Sequence, residues 1–205
     1  MVVVASIHPN RIRKMNAIVS LLLVGLSLSF QVFAKEPSGT QTATQAFLKN
    51  PQKGVLKLNG AGVMNASNRG LLLVAEAAGS MVAIDTGDTG KFKPVKSIAN
   101  LGAKVAGAIG TSPSKLTIND LKANPETGTV YISVRRSDGI SAVLTLDSSG
   151  KLQTLNTDKL NWVRIKLSEK LKISRISAIG FHDGRVLAAG QSNDAFRSKI
   201  FSIPT

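Results

Sequence analysis

Short apolar segments separated by turn-forming residues make up the chain from residue 55 onward. The segments are about four to six residues long and end at Gly, Asp, Asn or Ser, a pattern that predicts β-strands joined by tight turns. The clearest predicted strands are 71–75, 81–84, 129–134, 142–146 and 185–189. Helical periodicity is weak, and the small apolar residues of 103–109 are interpreted as a strand or a tight packing segment. The pattern therefore predicts an all-β fold.

The turn sequences and one alternating stretch support this prediction. "HDGR" at 182–185 places Asp-Gly between two apolar runs, which is the strongest short hairpin signal. "DTGDTGK" at 85–91 and "DSSGK" at 147–151 each begin with Asp and end in Gly-Lys, as tight turns do. In "WVRIKL" at 162–167, apolar and polar residues alternate with period two, which favours a strand over a helix.

The strands recur as a longer unit marked by three glycines. Gly70, Gly128 and Gly184 are 58 and 56 residues apart, and each precedes an apolar strand, a variable connection and a second strand. In the first two copies a Gly-Lys turn leads into a further short strand, "KFKPV" or "KLQTL". The unit is interpreted as an antiparallel four-stranded meander of about 57 residues.

A four-stranded meander that recurs at this spacing is typical of a β-propeller blade, which buries its faces by stacking on neighbouring blades. We predict a repeat domain over 55–205, with units 55–97, 98–155 and 156–205. A closed propeller needs about four to eight blades, so these units make only a partial propeller. Three explanations stay open: the chain is the first part of a longer propeller, it oligomerises to close a ring, or it folds as a β-sandwich or partial barrel.

Two stretches carry a family resemblance. "ANPETGTVYISV" at 123–134 and "LTLDSSGKLQTL" at 144–155 resemble blades of bacterial exported propellers of the YVTN, NHL and quinoprotein-like kind. "ISAIGFHDGRVLAAGQSNDAFRSKIFSIP" at 176–204 is similar to blades of secreted propellers in that group. Asn124 stands where such blades often have Asp, and the first unit lacks the Pro-x-Thr-Gly turn. The resemblance implies a fold and carries no catalytic motif.

The N-terminal stretch predicts export. Three basic residues precede an apolar run of about 14 residues, which is short for a membrane span of about 20. Small residues at the −3 and −1 positions then predict a signal peptide over 1–34, with cleavage between Ala34 and Lys35. An uncleaved membrane anchor is the alternative. Residues 35–54 are predicted to be a flexible polar leader, in which only 46–48 are apolar enough to pack on the fold. The mature chain is predicted to be periplasmic or extracellular and to have no transmembrane helix.

The net charge of the chain indicates which kinds of partner it can bind. The chain carries 26 basic and 12 acidic residues, a net charge of +14, which becomes +11 for residues 35–205. This excess favours a protein or anionic polysaccharide partner, whereas export and the lack of interleaved aromatic residues argue against nucleic acid. The densest basic cluster is the predicted anion contact: Lys159, Arg164, Lys166, Lys170, Lys172 and Arg175.

Few residues are suited to catalysis or to metal binding. There is no cysteine, and the two histidines are His8, in the signal region, and His182, at a predicted turn beside Asp183. Asp85 and Asp88 lack the spacing of a calcium loop and are interpreted as turn residues. The single tryptophan, Trp162, argues against a quinone cofactor bound as in quinoprotein alcohol dehydrogenases. We predict no catalytic residue, no cofactor and no metal site.

Two function hypotheses follow. The first is a non-catalytic exported binding or scaffold module that presents propeller loops to a protein or anionic glycan. The alternative is the N-terminal part of a propeller enzyme, a hydrolase or lyase, whose catalytic residues lie in blades that this sequence does not contain. The near absence of His and Cys favours the binding module.

Overall fold

A computed structural model describes residues 48–193 and 197–204 of the chain. These residues form one α-helix, α1 (Leu101–Ala108), and short 3-10 turns at Asn68–Gly70, Ala77–Gly79 and Pro113–Lys115. The strands in the same part of the chain are β1 (Gln52–Gly54), β2 (Met64–Ala66), β3 (Leu71–Ala75), β4 (Ser80–Asp85), β5 (Leu116–Ala123), β6 (Val130–Arg136), β7 (Ser141–Leu146), β8 (Leu152–Thr154), β9 (Leu160–Lys166), β10 (Ile173–His182), β11 (Arg185–Ser192) and β12 (Ser198–Pro204).

The strands form three antiparallel sheets, and none of the three closes on itself. Sheet A has the order β1-β9-β4-β3-β2, sheet B is the meander β5-β6-β7-β8, and sheet C is β10-β11-β12. The prediction of a mostly antiparallel all-β fold is confirmed. No helix within 48–193 and 197–204 is long and apolar enough to cross a membrane.

Sheet A lies between the other two sheets and is buried on both faces. Alternate residues of β3 point to opposite sides, so Leu71 and Leu73 pack with sheet C, around Ile179. On the opposite side, Leu72 and Val74 belong to another apolar cluster, which includes residues of sheet B. Burial on both faces explains why "LLLVA" is a continuous apolar run rather than an alternating one.

The helix α1 covers the other face of sheet B, and the interpretation of 103–109 as a strand or packing segment without helix is wrong. Asn100 begins the helix, because its side-chain oxygen accepts a hydrogen bond from the Ala103 amide at 3.4 Å. Val105 is fully buried against Ile132 and Leu144 of sheet B. The sequence does not indicate this helix, because its alanines and glycines leave almost no amphipathic pattern. Packing on the sheet stabilises the helix instead.

The predicted unit boundaries differ from the sheets in three places. Strand β9 comes from the predicted third unit but pairs with β4 of sheet A, from Ser80↔Lys166 to Asp85↔Asn161. Residues 52–54 of the predicted leader form β1, which pairs with β9. The predicted strand "KFKPV" at 91–95 is an irregular connection. In the first two cases the partner strand is distant in sequence, so local pattern cannot identify it.

Two of the turn predictions are confirmed. At the tip of the β10–β11 hairpin, Asp183 and Gly184 have φ values of 47° and 67°, and both central residues therefore have the positive φ of the common two-residue hairpin turn. The Asp147 carboxylate accepts hydrogen bonds from the amides of Ser149 and Lys151 in the β7–β8 turn. Predicted strand 71–75 coincides with β3.

Candidate functional site

A polar groove of about 560 Å³ lies where the three sheets meet. Sheet B contributes Asn119 from β5, Arg135 from the end of β6 and Ser141 from the start of β7. Sheet C contributes Arg175 and Ser177 from β10. The residues between β1 and β2, 59–63, and the end of β3 complete the wall from sheet A. We call this the three-sheet groove.

Two of the residues that line the three-sheet groove sit at β-bulges. Asn119 has no partner across the ladder, because Ile118 pairs with Val134 and Asp120 with Ser133. A second register shift leaves Ser177 unpaired in β10. A bulge bends its strand and redirects a side chain, and bulges are common beside binding sites.

Both bulged side chains bond to neighbouring backbone. The Asn119 amide donates to the Ala61 carbonyl at 2.7 Å, and the Ser177 hydroxyl donates to the Ala189 carbonyl at 3.2 Å. Asp120, the residue after the first bulge, accepts a hydrogen bond from the Met64 amide at 2.8 Å. The bulge in β5 therefore ties sheet B to sheet A, whereas the Ser177 bond joins β10 to β11 within sheet C. Both bonds hold the rim of the groove in one geometry.

A buried ion pair supports the sheet A wall. The Glu76 side chain is fully buried, and its carboxylate accepts hydrogen bonds from Arg164 Nε at 2.6 Å and from Arg164 Nη2 at 3.0 Å. The Asn59 amide donates to the same carboxylate at 2.8 Å. Arg164 also lies over Trp162, 5.0 Å from the ring centroid. Hydrogen bonding to Glu76 raises the pKa of Arg164, so the guanidinium stays charged.

The charge of the groove is positive once this pair is accounted for. Glu76 is the only carboxylate among the lining residues, and Arg164 neutralises it. Arg135 and Arg175 are both exposed. Arg175 Nε donates to Gln191 Oε1 at 2.7 Å, while no ion pair of Arg135 or Arg175 is formed within the part of the chain that the structure describes. Two guanidinium groups are therefore available to an anion in the groove.

A second polar cluster joins sheet A to sheet B. The carboxylate of Asp88, in the loop after β4, accepts hydrogen bonds from side chains of the turn and strand that follow β5. The donors are Asn124 Nδ2 at 2.8 Å, Thr127 Oγ1 at 3.0 Å, Thr129 Oγ1 at 3.2 Å and the Tyr131 hydroxyl at 3.0 Å. We call these five residues the Asp88 latch. The "NPETGTVY" motif is thus a structural contact between sheets.

The backbone geometry of that motif explains its glycine. Gly128 has φ of 83°, and a side chain there would run into the Lys93 carbonyl. The Asn124 carbonyl accepts a hydrogen bond from the Gly128 amide at 2.9 Å, which closes the turn. Burial, and to a smaller extent the charge of Asp88, raise the pKa of Tyr131 well above its usual range, so the phenol stays protonated and donates to the latch.

The residues of the predicted anion contact do not form one site. Lys159, Lys170 and Lys172 are exposed on the segments around β9. Lys166 pairs with Glu169, and Arg164 pairs with Glu76. Only Arg175 lines the three-sheet groove. Anion contact by these six residues stays a prediction, and the predicted cleavage site at Ala34 and Lys35 lies outside the described residues.

The residues considered for catalysis and metal binding lie in turns. His182 and Asp183 approach to 3.1 Å at the tip of a hairpin, where both side chains are more than 80% exposed. Asp85 accepts a hydrogen bond from the Gly87 amide, and Asp88 is occupied by the latch. Among the described residues, no three His, Cys, Asp or Glu side chains are grouped as a metal site would need.

Sequence reasoning missed most of the groove. Arg135, Asn119 and Ser177 were not predicted as site residues, and Glu76 was not recognised as a buried charge. The "RRSDG" stretch offered one signal, since it places two arginines next to a turn. The bulges offered none, because a bulge is defined by the partner strand.

Comparison of the sequence with protein-family models and with curated proteins, and of the fold with solved structures, gave no match.

Proposed function

We propose that the protein is an exported binding module that holds an acidic saccharide in the three-sheet groove. The observation that carries the proposal is the pair of arginines, Arg135 and Arg175, which line one polar groove without an ion-pair partner among the described residues. Guanidinium groups bind carboxylates through paired N–H donors, and this makes them suited to uronate groups.

The remaining lining fits the rest of such a ligand. Asn119, Ser141 and Ser177 carry neutral polar groups that can bond sugar hydroxyls. A volume of about 560 Å³ falls inside the range of about 300–1,000 Å³ that is usual for small-molecule sites. The three sheets hold these side chains on strands and bulges, so little ordering is needed when a ligand binds.

Binding is favoured over catalysis by the same lining. General acid–base catalysis needs an ionisable group that can reach the reacting atoms. The only carboxylate in the groove, Glu76, is fully engaged by Arg164 and by the Asn59 amide. Neither His182 nor a cysteine lines the groove.

We further propose that the three sheets are blades of a partial β-propeller. Two features support this architecture: sheet B is a four-stranded meander, and the sheets stack face to face through apolar clusters. On the outer face of sheet C, Leu187 and Ile200 are 43% and 82% exposed, as expected of a stack that has an uncovered last sheet. Export is tested by N-terminal sequencing of the protein recovered from the envelope or medium, which should begin at Lys35.

The binding proposal is tested by titrating the protein with polygalacturonate and, as a neutral comparison, with dextran of similar length. We expect calorimetric binding of the acidic polymer only, which weakens as salt screens the charges. The double substitution Arg135→Gln and Arg175→Gln should reduce affinity at least about tenfold, which corresponds to about 1.4 kcal/mol.

The matched control is Lys96→Gln with Lys151→Gln, which removes the same charge from exposed lysines that belong neither to the groove nor to the predicted anion contact. This variant should keep affinity within about twofold, because surface charges far from the ligand are screened. Equal losses in the two double variants would show that the polymer binds the diffuse positive surface instead of the groove. Equal binding of dextran and polygalacturonate would refute the role of the arginines.

A further inference from the structure

A small apolar cavity lies inside the interface between sheet A and sheet C. Its volume is about 150 Å³. Leu73, Ala83 and Val163 line it from sheet A, Val186 and Ile203 line it from sheet C, and Leu48 covers it from the N-terminal side. Lys49 is the only lining residue with a charged side chain, and it is exposed. We call this space the sheet A–C cavity.

The cavity exists because of one small residue in the middle of a row of larger ones. Ala83 pairs with Leu73 on one side and with Val163 on the other, so the three residues stand side by side across sheet A. The methyl group of Ala83 leaves a hollow between its two larger neighbours. On sheet C, Val186 and Ile203 are paired opposite each other and form the other wall.

The lining gives water little to bond. A buried water needs about two to four polar partners, and apolar cavities of about this size stay dry and take up benzene-sized molecules. The walls named above are hydrocarbon side chains, and Leu48 and Ala83 are each 5% exposed. An apolar molecule that enters gains the contacts that the empty walls lack.

We propose that the sheet A–C cavity binds a small neutral hydrocarbon group of about the size of a benzene ring. The occupant is a ring or a short branched alkyl group without a buried polar atom. The side chains of Leu73, Ala83 and Val186 offer no hydrogen-bond partner to one, and the charged lining residue, Lys49, is exposed to solvent. This site is separate from the three-sheet groove and involves neither of its arginines, so each proposal can be refuted without affecting the other.

The test compares toluene with phenol, which have nearly the same shape. Each is titrated into the protein while methyl resonances of Leu73, Val163 and Val186 are followed by NMR. Toluene should shift them saturably, and phenol should bind about tenfold more weakly or worse, because its hydroxyl would be buried without a partner. Shifts that rise linearly without saturation, or equal affinity for the two compounds, would overturn the proposal.

Substitutions of Ala83 locate the site. Ala83→Leu fills the hollow and should abolish toluene binding, and Ala83→Val should weaken it, so the smaller change remains informative if the larger one disturbs folding. Ala178→Leu makes the same change at an exposed position of sheet C and should leave binding unchanged. Unchanged binding in both Ala83 variants would contradict the assignment.

Discussion

Replacement of Asp88 by alanine removes the acceptor at the centre of the latch between sheet A and sheet B. Four side-chain donors lose that acceptor: Asn124 Nδ2, Thr127 Oγ1, Thr129 Oγ1 and the Tyr131 hydroxyl. The two threonine hydroxyls are half-buried and can be hydrated. Tyr131 keeps Thr86 Oγ1 as a partner at 3.1 Å. The Asn124 side chain is 1% exposed and keeps only the Asp88 main-chain carbonyl, at 2.8 Å, so its second N–H is left buried without an acceptor.

The expected cost is about 2–3 kcal/mol, since a hydrogen bond to a charged group contributes about 1.5–3 kcal/mol and the other donors recover part of theirs from water. For a chain of this size the midpoint of thermal unfolding should fall by about 5–10 °C. The assay is urea unfolding followed by the fluorescence of Trp162, which is the single tryptophan and is buried in the cluster between sheets A and B.

Asp85→Ala is the matched control because it removes the same charge from the same loop region. Asp85 accepts one hydrogen bond, from the Gly87 amide at 3.1 Å. Its removal should cost about 0.5 kcal/mol. If the two variants lose the same stability, the four donors do not depend on Asp88, and the structural reading of the "NPETGTVY" motif is refuted.

Three further outcomes concern the ion pair, the helix and pH. Arg164→Met should lower the free energy of unfolding by about 2–3 kcal/mol. This is at the low end for a buried ion pair, because the Arg164 side chain is 37% exposed. In a double-mutant cycle, Arg164→Met combined with Glu76→Gln should lose less stability than the sum of the two single variants. Val105→Ala should lower the free energy of unfolding by about 2 kcal/mol, and Lys104→Ala should lower it by less than about 0.5 kcal/mol. Equal losses in the two variants would mean that α1 does not cover sheet B. The folded pKa of Tyr131 is raised above its unfolded value of about 10, so its stabilisation is fully present below that pH and is lost as the pH rises further. Urea unfolding between pH of about 8 and 11 should show this alkaline loss, and Tyr131→Phe should lack it.

Local features of the sequence were sufficient to predict most strands. The run "LLLVA" was identified because burial on both faces removes the polar alternation, and "HDGR" because only a few residue pairs allow positive φ at both turn positions. These signals lie within a few residues of one another, so they can be read without knowing which strands meet.

The helix α1 shows the limit of local pattern. Its residues are Leu, Gly, Ala, Lys and Val in an order with little periodicity, and burial of Val105 on sheet B stabilises the helix. The same limit applies to β9, whose alternation was recognised while its pairing with β4 was not. Pairing depends on which edge is free when the sheets assemble, and that is decided over the whole chain.

The sequence by itself determined the fold class, the strands with two-sided burial, the turns and the positive net charge, because each of these depends on composition or on neighbours along the chain. Only the tertiary structure decided the groove, the latch and the cavity. Arg135 and Arg175 belong to different sheets, Asp88 meets its donors across two sheets, and the hollow at Ala83 exists only because larger residues flank it on paired strands. Such features arise where surfaces distant in sequence come into contact, and no local pattern encodes those contacts.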